Sequence, residues 1–337
     1  MDERNRRALL IGGIGTIAVF AVLFFAVGAR NIIDSLLSAD PLLVVATFAL
    51  ALCWLAAWGL MLRTVLASLD VHVSVSTAFL VYTGAVFSNN VTPFGQAGGE
   101  PIAALLISEA SDARYETGLA GIATVDVLNV VPSISLILAG IGYYATTTAI
   151  NQQLENTVAS AVVLIGGIVA VIVLLWRWRH VLVDRLPGLV APRLGRLDRF
   201  DADALEKDLK ERLGRFFANI ERVGTDRWRL SSAVGLSLVG WLFQVAALLV
   251  AFEAIGYAVS PAVLLFVIPL ANLAGAAPLP GGLGGIDAAF VTLLVPTTGI
   301  GASAITAAVL IFRGAIYWMP VVIGGISVSR FGVRAFR

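Results

Sequence analysis

Six stretches of nearly unbroken apolar residues punctuate the chain, at 8–28, 41–62, 117–141, 157–176, 230–252 and 303–328. Each approaches or exceeds the ~20 residues a helix needs to cross ~30 Å of hydrocarbon, so six transmembrane helices are predicted. Two further apolar regions, 75–108 and 261–297, do not read as single spans. Each is cut by a glycine- and proline-rich break, Asn89-Asn90-Val91-Thr92-Pro93-Phe94-Gly95-Gln96-Ala97-Gly98-Gly99-Glu100-Pro101 in the first and Pro278-Leu279-Pro280-Gly281-Gly282-Leu283-Gly284-Gly285-Ile286-Asp287 in the second. The apolar pieces beside them, 75–88 and 101–108, then 261–277 and 286–295, include several too short to span. Irregular backbone at membrane depth is tolerated only where protein or a water-filled cavity satisfies its N–H and C=O groups. Re-entrant half-helices meeting near the midplane fit this better than four complete crossings, although the count of crossings permits either.

Composition agrees with the pattern. Only 13% of the residues are charged and mean hydropathy is +0.90, against about 25% charged in soluble domains, so the fold class is an all-α integral membrane protein. The basic start and first apolar run resemble a signal peptide, but the run is long and no clear small-residue cleavage site follows, which favours an uncleaved helix. Removal of that segment is the alternative. Cys53 is the single cysteine, so no intramolecular disulfide, cysteine metal cluster or cofactor is expected.

Charge orients the chain. The net charge of +1 hides a strong bias: 13 of the 23 basic residues fall within 177–229, and Arg4, Arg6, Arg7, Arg330, Arg334 and Arg337 sit at the ends. Lys and Arg collect in cytoplasmic loops, which puts both termini and 177–229 on the cytoplasmic side of a cell membrane and the stretch 142–156, which has no Lys or Arg, outside. Walking the spans then makes 75–108 start and finish inside and 261–297 start and finish outside. Paired broken segments of opposite orientation are what an inverted repeat produces, with a transporter's site between them; residue identity between the halves is not evident. One membrane domain, 1–337, is expected, with 177–229 as a cytoplasmic connector. In it Pro187, Gly188, Pro192 and Gly195 predict a loop, and the spacing of Leu205, Leu209, Leu213, Phe216, Phe217, Ile220 and Val223 predicts an amphipathic helix. That helix lies on the membrane surface or packs onto the protein's own ends.

Ionisable groups inside apolar surroundings are costly and become candidate site residues. Glu100 and Asp287 each follow a glycine-rich break at the start of a short apolar helix, where a carboxylate caps free N–H groups or meets substrate or a proton. Asn89, Asn90, Thr92 and Gln96 lie in the same break as Glu100. Asp126 is about nine residues into its span, about 13 Å along the helix, with Asn129 one turn on, and Arg313 is the one basic group expected well within the membrane. Asp126 and Arg313 are expected to pair, either structurally or as a site in which the guanidinium fork meets phosphate oxygens. Gly98, Gly99, Gly281, Gly282, Gly284 and Gly285 supply exposed N–H groups that suit an anion; close packing is the competing reading. There is no Lys-Ser/Thr ending of a nucleotide P-loop.

At the two breaks, and in Arg313 shortly before Tyr317-Trp318, the sequence resembles the membrane region of lysylphosphatidylglycerol synthases and related stand-alone membrane proteins, many of them archaeal. The likeness covers essentially the whole chain; that family often has Glu where Asp287 stands. The resemblance implies a lipid-translocating module, which in the bacterial proteins is joined to a soluble aminoacyl-transferase domain. These 337 residues leave no room for that domain, so aminoacyl-lipid synthesis is not expected. Similar regions fused to glycosyltransferases imply polyprenyl-phosphate-linked sugars as another cargo.

The expected function is transbilayer movement of a phosphate-headgroup lipid or lipid-linked precursor, passive or ion-coupled, with no enzymatic activity. Glu100, Asp126 and Asp287 would balance charge or carry protons. The alternatives are an ion-coupled transporter of a small soluble solute, an intramembrane lipid-modifying enzyme, and a structural partner of another membrane protein. The only histidines, His72 and His180, with no H-E-x-x-H or G-x-S-x-G motif, disfavour metal hydrolysis and a serine triad. Expected partners are a membrane lipid as substrate, a second copy of the chain, and a lipid-modifying enzyme or glycosyltransferase; nucleic acid is not expected.

Overall fold

A computed structural model describes residues 29–92, 96–111, 113–147, 166–167, 170–171, 173–195, 202–276 and 280–335. The predicted span 8–28, most of 157–176, and residues 93–95 and 277–279 of the two breaks lie outside the described residues. The elements are α1 (Ala29–Leu37), α2 (Pro41–Ser68), α3 (Val75–Val91), α4 (Gln96–Ser111), α5 (Tyr115–Thr147), α6 (Arg179–Gly195), α7 (Ala202–Thr225), α8 (Arg227–Ala254), α9 (Pro261–Leu273), α10 (Gly285–Thr298), α11 (Ala302–Arg313) and α12 (Met319–Ala335). Among the described residues there is no strand, and the protein is an all-α membrane protein. Four stretches there are long and apolar enough to cross a membrane: α2, residues Tyr115–Thr146 of α5, α8, and Ala302–Ser329.

Local sequence sets several helix starts. Asp40 caps α2 by accepting from the Leu42 N–H at 2.8 Å, with Pro41 at the first position, where its missing N–H costs nothing. Ser74 and Asp226 cap α3 and α8 in the same way. Helices α2 and α8 lie along each other. Trp58 meets Trp54, Tyr82 and Trp241 edge to face and donates its indole N–H to the Ser237 carbonyl at 3.1 Å. Lipid tails are as apolar as leucine, so this packing and hydrogen bonding, rather than water exclusion, holds such helices together. Asn129 ties α5 into the same place: its amide oxygen accepts from the Ser237 hydroxyl and its carbonyl from the Trp241 indole.

The broken regions are more helical than their apolar runs suggest. Helices α3 and α4 have 17 and 16 residues, about 25 and 24 Å at 1.5 Å per residue, because polar Asn89, Asn90 and Glu100 join the helices and Pro101 sits within α4. Helices α9 and α10, of 13 and 14 residues, reach only about 20 and 21 Å, short of the ~30 Å core. The last predicted span is not one regular helix. Between α11 and α12 it widens into a π-helical turn over Gly314–Trp318.

The loop expected at 187–195 is instead part of α6, which runs through Pro187. Its pairing with α7, including the 2.8 Å ion pair between Asp184 and Lys210, supports a backbone that proline alone would break. Helix α7 matches the amphipathic prediction and packs on the protein itself: Arg212 and Arg215 reach Glu116 at the start of α5 at 2.9 and 3.6 Å, Arg222 pairs with Asp70, and Val223 is buried.

Candidate functional site

The site begins where the second break ends. Gly284 is the N-cap of α10, and its N–H donates at 2.8 Å to Oδ2 of Asp287. This is the capping arrangement expected for Asp287, and it uses one carboxylate oxygen only. The other, Oδ1, accepts from Nε of Arg313 at 3.1 Å. Arg313 also donates through Nη2 to the Gly281 carbonyl at 3.3 Å, and its guanidinium lies 5.0 Å from the centre of the Tyr317 ring. Asp287 and Arg313 are 4% and 7% exposed, so the charges balance each other in a low-dielectric setting where neither could stand alone.

The first break reaches the same spot. The Tyr317 hydroxyl donates to the Asn90 carbonyl at 3.0 Å, and the Asn90 amide donates to the Tyr317 carbonyl at 3.3 Å. Gly281, at φ +56°, is pressed between them: a Cβ there would stand 2.4 Å from the Tyr317 ring and 3.0 Å from the Asn90 Cα. Only glycine meets both demands. The π turn carries Tyr317 and starts directly after Arg313, and such turns occur frequently at functional sites.

The expected pairing of Asp126 with Arg313 is not found. Arg313 is taken by Asp287, and the Asp126 carboxyl lies instead near Glu100, close enough for each to act on the other's charge. Helical spacing fixed the depth of Asp126 but not the direction it faces. Glu100 is likewise not an N-cap: α4 begins four residues earlier, at Gln96. Two ionised carboxylates are acceptors only, so they need a proton or a cation between them. Oδ2 of Asp126 and, beside the pair, Oδ1 of Asn89 are buried without a hydrogen-bond partner among the described residues. Gly99 brings α4 directly against α3, since a Cβ there would lie 1.9 Å from Asn89 Oδ1 and 2.5 Å from its N.

The remaining candidates are near but less engaged. Thr92 caps the end of α3 by donating to the Ser88 carbonyl at 2.7 Å. Gln96 and Gly98 fall in the first turn of α4, where only the backbone path is described. Gly282 packs against Gly275 and Ile286, and Gly285 is the first residue of α10. Among the described residues no group of three or more His, Cys, Asp or Glu is placed to hold a metal ion. Tyr317 was given no role from sequence, although an aromatic residue one turn after the lone intramembrane arginine was a usable signal.

The model of the lysylphosphatidylglycerol synthase TM region matches residues 9–324, both breaks and Arg313 included. The chain belongs to this family. Among similar proteins are two UPF0104 membrane proteins of Methanothermobacter thermautotrophicus, one of them 26% identical over 98% of this chain and 96% of its own length. Another relative is Glycosyltransferase AglD of Haloferax volcanii, 26% identical over 91% of this chain but only 52% of its own length. With its apolar helices and this family, the protein is a multi-pass membrane protein. The Haloferax relative corrects one expectation. Sequence reasoning set enzymatic activity aside, and a relative named as a glycosyltransferase removes the ground for doing so.

Proposed function

We propose that the protein moves a lipid with a phosphate headgroup, or a lipid-linked precursor, across the bilayer. The observation that carries this is the buried Asp287–Arg313 pair at the point where both broken segments meet. A structural ion pair does not require two helix breaks, three close-packed glycines and a π turn around it. A site that releases and rebinds an anion does, because the guanidinium must be fixed in direction yet exchange its partner.

In this reading Asp287 is a resident anion. A phosphate approaching Arg313 displaces the carboxylate, keeps the guanidinium paired throughout, and finds a further N–H donor at Gly285, at the start of α10. Asp287 stays held by its bond from the Gly284 N–H, ready to return. The segments 75–108 and 261–297 then act as oppositely oriented re-entrant hairpins within one membrane domain, both termini cytoplasmic. Glu100 and Asp126 hold the proton or cation that couples movement to a gradient.

The glycosyltransferase named among the relatives favours a sugar-bearing lipid as cargo, with a transferase as partner or fused neighbour. The test is movement of fluorescent lipids in proteoliposomes, read by bleaching from one side. Faster movement of phosphate-headgroup lipids than in empty vesicles, with neutral glycolipids unaffected, supports the reading; equal rates with and without protein reject it for the lipids tried.

A further inference from the structure

A second basic site lies elsewhere on the molecule. Between the last turns of α2, the segment leading to α3, and the first turns of α8 is a cleft of about 290 Å³, lined among others by Arg63, Thr64, His72, Trp228, Arg229 and Ser232. It is separate from the ion pair. Phe48 of α2 lies where a Cβ on Gly314, next to Arg313, would meet it at 3.5 Å, whereas Arg63 follows fifteen positions later on the same helix, about 22 Å along it at 1.5 Å per residue.

Both guanidiniums in the cleft are held by backbone. Arg63 donates through Nε to the Val73 carbonyl at 3.0 Å, and Arg229 donates through Nη1 to the Ala67 carbonyl. These bonds satisfy one carbonyl in the last turn of α2 and one in the segment before α3, and direct the remaining N–H groups. Arg229 shares its charge with Asp226 at 3.3 Å. Asp70, the nearest other acid in sequence, is paired with Arg222. Among the described residues Arg63 has no carboxylate within ion-pairing distance. At the edge of the cleft Trp228 is 81% exposed, a large indole displayed at the start of a membrane-crossing helix. That is where tryptophan sits at the boundary between headgroups and acyl chains.

We propose that this cleft binds a phosphate group. Arg63 and Arg229 grip its oxygens with charge-assisted hydrogen bonds, Ser232 adds a hydroxyl, and Trp228 covers the apolar side of whatever carries the phosphate. The two sources of such a group are a phospholipid headgroup and free phosphate, and the exposed indole favours the lipid. The site is defined by binding and does not depend on transbilayer movement.

The test uses the full-length protein in detergent micelles, with native mass spectrometry counting retained dioleoylphosphatidylglycerol against a neutral galactosyl dioleoylglycerol of the same chains. Inorganic phosphate is offered in a separate arm and read as a thermal shift. The expected result is that Arg63→Gln weakens phosphatidylglycerol binding about tenfold, the loss of one charge-assisted contact, and leaves the glycolipid unchanged. Trp228→Ala is expected to weaken the lipid and not inorganic phosphate. An Arg63-dependent shift with inorganic phosphate and none with phosphatidylglycerol assigns the cleft to the soluble anion. Equal retention of both lipids by folded wild type and variants, with no phosphate shift, overturns the site. Should Arg63→Gln fail to fold, Trp228→Ala, at an exposed position, carries the same lipid comparison.

Discussion

Asn90 and Tyr317, 227 positions apart, hold each other twice, each donating from its side chain to the other's backbone carbonyl at 3.3 and 3.0 Å. This reciprocal pair joins the end of α3, at the first break, to the π turn that follows Arg313. Tyr317→Phe removes one of the two bonds and leaves the Asn90 carbonyl short of a donor. A loss of about 1 kcal/mol is expected, seen as a lower unfolding midpoint, and Asn90→Ala should cost a similar amount by removing the other bond.

Breaking the Asp287–Arg313 pair from one side is expected to cost far more than removing both charges. Asp287→Ala leaves a buried guanidinium uncompensated, at about 3–5 kcal/mol, whereas the double variant Asp287→Ala/Arg313→Met replaces the pair with apolar atoms and should recover much of that loss. Chemical unfolding of the three proteins in the same detergent measures the coupling. Recovered stability without recovered lipid movement separates the pair's functional role from its structural one.

Gly99→Ala puts a methyl group where Asn89 already stands, 1.9 Å from Oδ1. Overpacking of this kind costs about 1–3 kcal/mol and should push α3 and α4 apart beside Glu100. A distance measurement between spin labels on exposed positions of the two helices should show the separation, and Gly142→Ala, where nothing lies within 4 Å, should show none.

The α6–α7 hairpin offers a pH test away from the candidate membrane spans. The Lys210 ammonium, hydrogen-bonded to Asp184, holds that carboxyl below its ordinary range. A depressed carboxylate contributes contact energy above its unfolded value and loses it as pH falls through the folded one. The α6–α7 contact should therefore persist at neutral pH and loosen only in acid, with Asp184→Asn abolishing the dependence. The pair is exposed, so the effect on global stability should be small.

Much of the architecture was legible because it is written locally. Apolar run length located α2, α5 and α8, whereas the caps at Asp40, Ser74 and Asp226 emerge only in the structure. The proline and glycine at 187–188 misled because the tertiary partner, α7, is not visible in the local pattern. Of the candidate site, the sequence named both Asp287 and Arg313 but not their pairing. Period and depth lead to the expectation that Asp126, Asp287 and Arg313 lie within the membrane, yet which carboxylate faces the guanidinium depends on rotation of whole helices. The meeting of Asn90 with Tyr317 depends in addition on a π turn that no propensity forecasts.

The central claim is that Arg313 is an anion-exchanging group where the two broken segments meet. It is tested most directly by one-sided bleaching of a fluorescent phosphate-headgroup lipid in proteoliposomes containing wild type, Arg313→Lys or the double variant Asp287→Ala/Arg313→Met, each first shown to be folded. Fast movement with wild type, reduced movement with Arg313→Lys and none above empty vesicles with the double variant is the predicted result. Movement by the folded double variant at the wild-type rate would contradict the account and leave the ion pair as structure alone.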